Sequence, residues 1–97
     1  MTNDPDYEIY FGVKGSEFRL ADSDMQLRLV EVTEKKAAGV QEMFSLLFCG
    51  AKDKFLSQGT YDLTHDTLGS VTLFLVPVGL DENGYRYEAA FNRLHST

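Results

Sequence analysis

The chain is short of the residues that make cross-links, metal centres and membrane spans. Its 97 residues include one cysteine, Cys49, two histidines, His65 and His95, two prolines and no tryptophan. A single thiol excludes an intrachain disulfide, so no loop is stapled covalently. Zinc centres take three or four converging Cys, His or carboxylate ligands, and two distant histidines offer no C-x-x-C or H-x-x-x-H spacing. Acid-rich Asp22-Ser-Asp24 and Asp81-Glu82 fall short of the ligand count of a calcium loop and read as polar turns. No metal and no other cofactor is expected.

Positive charge is scarce as well: nine Lys and Arg stand against fifteen Asp and Glu, a net charge of −6. Residues 1–34 carry eight acids against Lys14, Arg19 and Arg28. Only Lys35, Lys36, Lys52 and Lys54 make a mildly basic stretch, read as solvated surface. Such a chain lacks the electrostatic footprint of phosphate binding, so nucleic acid is not an expected partner. Long apolar runs are missing too. The longest, Val71 to Leu80, is broken by Thr72, Pro77 and Gly79, well short of the ~20 residues a membrane helix needs. The polar start Met-Thr-Asn-Asp-Pro-Asp is unlike a secretory signal. The expectation is a cytoplasmic protein, or one exported without a classical signal, with no membrane partner.

Catalytic patterns are equally thin. There is no G-x-S-x-G, P-loop or glycine-rich phosphate fingerprint. A reactive thiol needs a nearby cation or helix N-terminus. Cys49, between Phe48 and Gly50, reads instead as a small, buried or half-buried hydrophobe. His65 lies near Asp62 and Asp66, an arrangement that can orient a general base. Successive strand residues face opposite ways, however. A bond from His65 to backbone in the following turn is therefore the preferred reading, and no enzyme is expected.

What the chain has is enough to fold. Apolar residues make up 43% and aromatics 12%, ordinary globular usage, and the length fits one domain over residues 1–97. Glycines at short intervals bound strands better than helices. Thr72 to Val78 is β-rich and apolar on both faces. Asn83-Gly84 signals a hairpin, and Tyr85, Tyr87, Ala89 and Phe91 then alternate with polar or small residues. Tyr61 and Leu63 mark another strand, as do Phe44, Leu46 and Phe48, the latter closed by Gly50. Met25, Leu27 and Leu29 alternate until Val30 and Val32 change parity, a slip that a β-bulge carries. Lys35 to Gly39 reads as a loop and Ser16 to Leu20 as a short strand. Pro5 starts a short N-terminal helix with Ile9, Tyr10 and Val13 on one side. The predicted fold is mainly β: a small antiparallel barrel or sandwich of about five to seven short strands.

Gln58-Gly-Thr-Tyr-Asp-Leu-Thr-His65, Leu68-Gly69, Leu73-Phe-Leu-Val-Pro-Val78 and Tyr87-Glu-Ala-Ala-Phe-Asn-Arg93 together form a dense pattern. It resembles a family of small bacterial domains of unknown function. The resemblance implies no enzymatic role. Some members of the family it resembles are encoded near phage-tail-like or surface-fibre proteins, which implies an accessory role in such an assembly.

Two functional readings remain. In the first, the domain is a non-enzymatic interaction or structural module, self-associating or accessory to a larger assembly. Its candidate interface is Val71, Leu73, Phe74, Leu75, Val76 and Val78, because two apolar faces call for two covers. His65, Asn92 and Arg93 form a candidate polar rim. In the second, the domain is a barrel binding a small ligand or glycan through exposed Tyr10, Tyr61, Tyr85 and Tyr87.

Overall fold

The alternation in the sequence becomes one helix and six strands. A computed structural model describes residues 5–37 and 41–94, with side chains for all of these except 5–7, 35–37, 41–42 and 92–94. The elements are α1 (Pro5–Gly12), β1 (Glu17–Leu20), β2 (Gln26–Ala37), β3 (Gln41–Gly50), β4 (Gly59–His65), β5 (Gly69–Asp81) and β6 (Gly84–Leu94). The strands close in the ring order β1-β2-β3-β6-β5-β4, and every neighbouring pair is antiparallel. The architecture is thus a barrel rather than a sandwich. Two three-stranded meanders are joined by residues 51–58, which cross one end and give a Greek-key path.

Four strands are longer than expected: β2, β3, β5 and β6 have 12, 10, 13 and 11 residues. Lys35 to Ala37 continue β2 instead of opening a loop, because their backbone pairs with Met43 to Gln41; Gly39 lies outside the described residues. Bulges let these strands bend without stopping. One falls between Leu29 and Glu31, where the parity of the sequence slips, and leaves Leu29 and Val32 both buried. A second, between Pro77 and Gly79, accompanies a change of partner. Gly69 to Leu75 pair with β4, whereas Val76 to Asp81 pair with β6.

Inward side chains fill the barrel. Phe18, Leu27, Leu29, Leu46, Phe48, Leu63, Leu75 and Tyr87 are fully buried, and the Phe18 and Phe48 rings meet edge to face at 5.3 Å. One end is covered by α1. Tyr10 sits between Phe18 and Phe91, with ring centroids at 6.3 and 5.9 Å, and Phe91 stacks on Phe44 at 4.5 Å. Ile9 was expected on the packed side of the helix and is exposed instead. Consecutive helical residues diverge by ~100°, so an eight-residue helix that docks through Tyr10 turns Ile9 away. Residues 51–58 cover the opposite end, where the Leu56 amide donates to the Tyr87 hydroxyl at 2.9 Å and Phe55 packs on Tyr85.

Candidate functional site

Two of the four tyrosines assigned to an exposed ligand surface belong to the core. Tyr10 and Tyr87 are buried, and Tyr61 and Tyr85 are half-buried against the cluster. The reason is inward parity: Tyr87 shares the face of Ala89, and Tyr10 plugs the barrel end. The hydroxyls also serve the fold. Tyr61 donates to the Ser57 carbonyl at 2.7 Å, and Tyr87 accepts from Leu56. Burial pushes the Tyr87 phenol above its ordinary pKa, against the Leu56 hydrogen bond, which favours the ionised form.

His65, assigned to a polar rim, is buried at the end of β4. Its Nδ1 accepts the amides of Thr67 and Leu68 at 3.0 and 3.2 Å. The proton must then lie on Nε2, which donates to Ser16 Oγ at 2.8 Å, and Ser16 in turn donates to the Val13 carbonyl. This chain ties the β4–β5 turn to the segment after α1. The side chains of Asn92 and Arg93 lie outside the described residues.

Cys49 is half-buried and faces outward, in register with Arg28 on β2 and Arg86 on β6. These residues line a groove of about 460 Å³ with Glu17, Gln26 and Asn83. Arg28 meets Glu17 at 3.4 Å, with both side chains well exposed. Arg86 Nη2 donates to Asp81 at 2.7 Å, while its buried Nε has no partner among the described residues. Asp81 also accepts the Asn83 amide, and that bond, above all, with the charge of Arg86 holds its carboxyl below the usual range. Arg86 and Asp81 thus brace the β5–β6 hairpin, while Arg28 and Glu17 bridge β2 and β1. Among the described residues, no group of three or more His, Cys, Asp or Glu side chains is placed to hold a metal. None of the described helices is long and apolar enough to cross a membrane.

The outward face of β5 is a different kind of surface. Within the strand proposed as an interface, Leu73 and Leu75 are core residues. They point inward by strand alternation, which removes them from the interface. Val71, in register with buried Leu63, also packs on the core, whereas Phe74 and Val78 lie outside at 51% and 52% exposure, with Val76 half-buried between them. Leu80, outside the interface expected from the sequence, is 58% exposed. It pairs with Tyr85 at the barrel lip, where Phe55 is 56% exposed. The bulge between Pro77 and Gly79 shifts the parity, so Leu80 falls on the face of Tyr85 and Tyr87, at the rim of the barrel and not on the outward face with Val78.

Carboxylates flank this strip. Across the outer wall, Glu31, Leu47, Glu88 and Val76 stand in one cross-strand row. Asp62, opposite Thr72, accepts its hydroxyl at 2.7 Å. Among the described residues Glu31 and Glu88 form no ion pair, and Arg86, the cation nearest along β6, is held by Asp81.

Searches of curated proteins and of solved structures returned no match. The family model for the domain of unknown function DUF6916 matches residues 6–91, from within α1 to within β6, and the chain belongs to that family.

Proposed function

We propose that this domain works by protein contact, as a non-enzymatic module that joins a larger assembly. The observation that carries the reading is the outward face of β5. Phe74 and Val78 stand exposed on a strand whose inward face already supplies Leu73 and Leu75 to the core. Nothing in the fold calls for large apolar side chains there, and clustered exposed apolar residues mark contact surfaces more than they mark chance. The filled interior and inward tyrosines favour this reading over a ligand cleft. The resemblance to bacterial domains of which some are encoded near phage-tail-like or surface-fibre proteins supports an accessory role, and a free thiol fits a cytoplasmic setting.

The test compares the natural chain with a Phe74→Ser, Val78→Ser double variant. Solution mass is measured by light scattering over a range of concentrations, and retained proteins are compared after affinity capture from cells of the source organism. The expected result is an oligomer, or a captured protein, that the variant loses while its unfolding transition is preserved. Identical profiles for the two chains would sink the proposal.

A further inference from the structure

The exposed strip on β5 has a chemical character that narrows its partner, on the understanding that the domain does work by protein contact. From Phe74 to Val78 it runs about 13 Å and is one strand wide. That shape fits a short segment better than the ~800 Å² per partner of a standard globular interface. Its borders are acidic. Glu88 adjoins Val76 in register, Glu31 lies in the same cross-strand row, and Asp62 borders Thr72 on the β4 side. Glu82 sits in the turn beyond Leu80. Arg86 is already committed to Asp81 at 2.7 Å and the exposed Arg19 stands across β4 from the strip, opposite Thr64, so among the described residues the uncommitted charges next to the apolar side chains are carboxylates.

A second copy of the chain would set those carboxylates against themselves, on top of a net charge of −6 per molecule. Like charges brought together across an interface oppose association. An anionic lipid or a nucleic acid meets the same repulsion. We infer that the β5 strip is a docking site for a segment of another protein that carries apolar side chains interleaved with lysines or arginines. Its apolar groups cover Phe74, Val76 and Val78, and its cations answer Glu31, Glu88 and Asp62.

Two synthetic thirteen-residue peptides of alternating valine and charged residues test this against the intact chain, one with lysine and one with glutamate. Binding is followed by fluorescence anisotropy and mapped by amide chemical-shift changes. The lysine peptide should bind at least ~10-fold more tightly, a difference of about 1.4 kcal/mol. Its shifts should centre on residues 72–80 and 86–90, and raised salt should weaken it. A Glu31→Gln, Glu88→Gln double variant should lose several-fold in affinity for the lysine peptide. It should gain nothing comparable for the glutamate peptide. Equal binding of the two peptides, or shifts centred elsewhere, would overturn the inference. Self-association that Phe74→Ser abolishes would also overturn it while leaving the protein-contact reading standing. Failure of the Phe74→Ser, Val78→Ser variant to alter any association would remove both.

Discussion

Replacing Gly84 by alanine perturbs the fold at a point where the cost can be worked from geometry. Gly84 follows the Glu82-Asn83 turn and pairs with Asp81. Its φ is +137°, a region that L side chains rarely adopt, and holding a non-glycine residue there costs about 1–3 kcal/mol. A Cβ at this position would also overlap the Gly50 carbonyl oxygen and lie 3.0 Å from its carbonyl carbon. That obstacle is backbone of β3, locked to β6 by the ladder, and it cannot rotate aside. Together the two effects should remove at least about 3 kcal/mol from a domain whose whole stability is about 5–15 kcal/mol. With a urea slope of about 1–3 kcal/mol per molar, the unfolding midpoint should fall by roughly 1 M or more. Gly50→Ala gives the intermediate case. Its Cβ would meet Leu27 Cδ2 at 2.7 Å and Tyr87 Cε2 at 3.2 Å, side-chain atoms that can shift, for a loss of about 1–2 kcal/mol. Gly12→Ala meets nothing within 4 Å and should stay within about 1 kcal/mol of the natural chain. A Gly84→Ala protein as stable as the Gly12→Ala one would refute the reasoning.

Neighbouring residues on β5 should respond oppositely to truncation. Leu75→Ala removes a fully buried side chain and should cost about 2–5 kcal/mol, whereas Phe74→Ala should cost less than about 1 kcal/mol in the same urea titration. Equal losses would mean that the outward face is packed after all. Stability should also fall at alkaline pH because of Tyr87. Burial raises its folded pKa, so the folded state holds the phenolic proton more tightly; stability is full below the unfolded value near 10 and declines as pH rises through the folded value. Unfolding midpoints between about pH 9 and 11 should show a steeper decline than in Tyr87→Phe, and matching slopes would contradict this. Finally, β1 closes the barrel against β4 through only two register pairs, Arg19 with Thr64 and Leu20 with Leu63, while β3 and β6 share ten. Native-state hydrogen exchange should find β1 amides less protected than those of Leu46 and Phe48, with uniform protection as the contrary result.

The strand content and the core were legible because alternation has a simple physical cause. Phe44, Leu46 and Phe48, or Tyr87 and Ala89, recur every second residue because one face of each strand looks inward. The slip at Val30 was legible for the same reason, since only a bulge lets Leu29 and Val32 share the interior. Strand ends were less legible: Lys35 to Ala37 have loop-like polarity, yet their backbone still pairs with β3. Ring closure was not legible, because the pairing of β1 with β4 joins segments more than forty residues apart. The surface suffered most. Thr72 to Val78 reads as apolar on both faces, and only the three-dimensional arrangement separates Leu73 and Leu75, which the core uses, from Phe74 and Val78, which it does not. Tyr10 and Tyr87 were misplaced because a tyrosine carries an apolar ring and a polar tip, and composition alone cannot tell which end faces water.

The same arrangement decides how a partner can engage β5. Beyond Leu75 the strand leaves β4, so among the described residues Val76 to Asp81 have a ladder neighbour on the β6 side only. A free edge of this kind invites another strand to add to it. Here Pro77 removes a backbone donor and the bulge at Val78 breaks the regular spacing of the rest. Strand addition is therefore blocked where the exposed apolar side chains are, and contact must be made by side chains across the outer wall. Pro77→Val tests this separation directly. Restoring the donor should leave the monomer's unfolding transition within about 1 kcal/mol, since the position is on an edge, yet promote concentration-dependent association visible by light scattering. If Pro77→Val stays as dispersed as the natural chain at every concentration, the edge is protected by something other than proline.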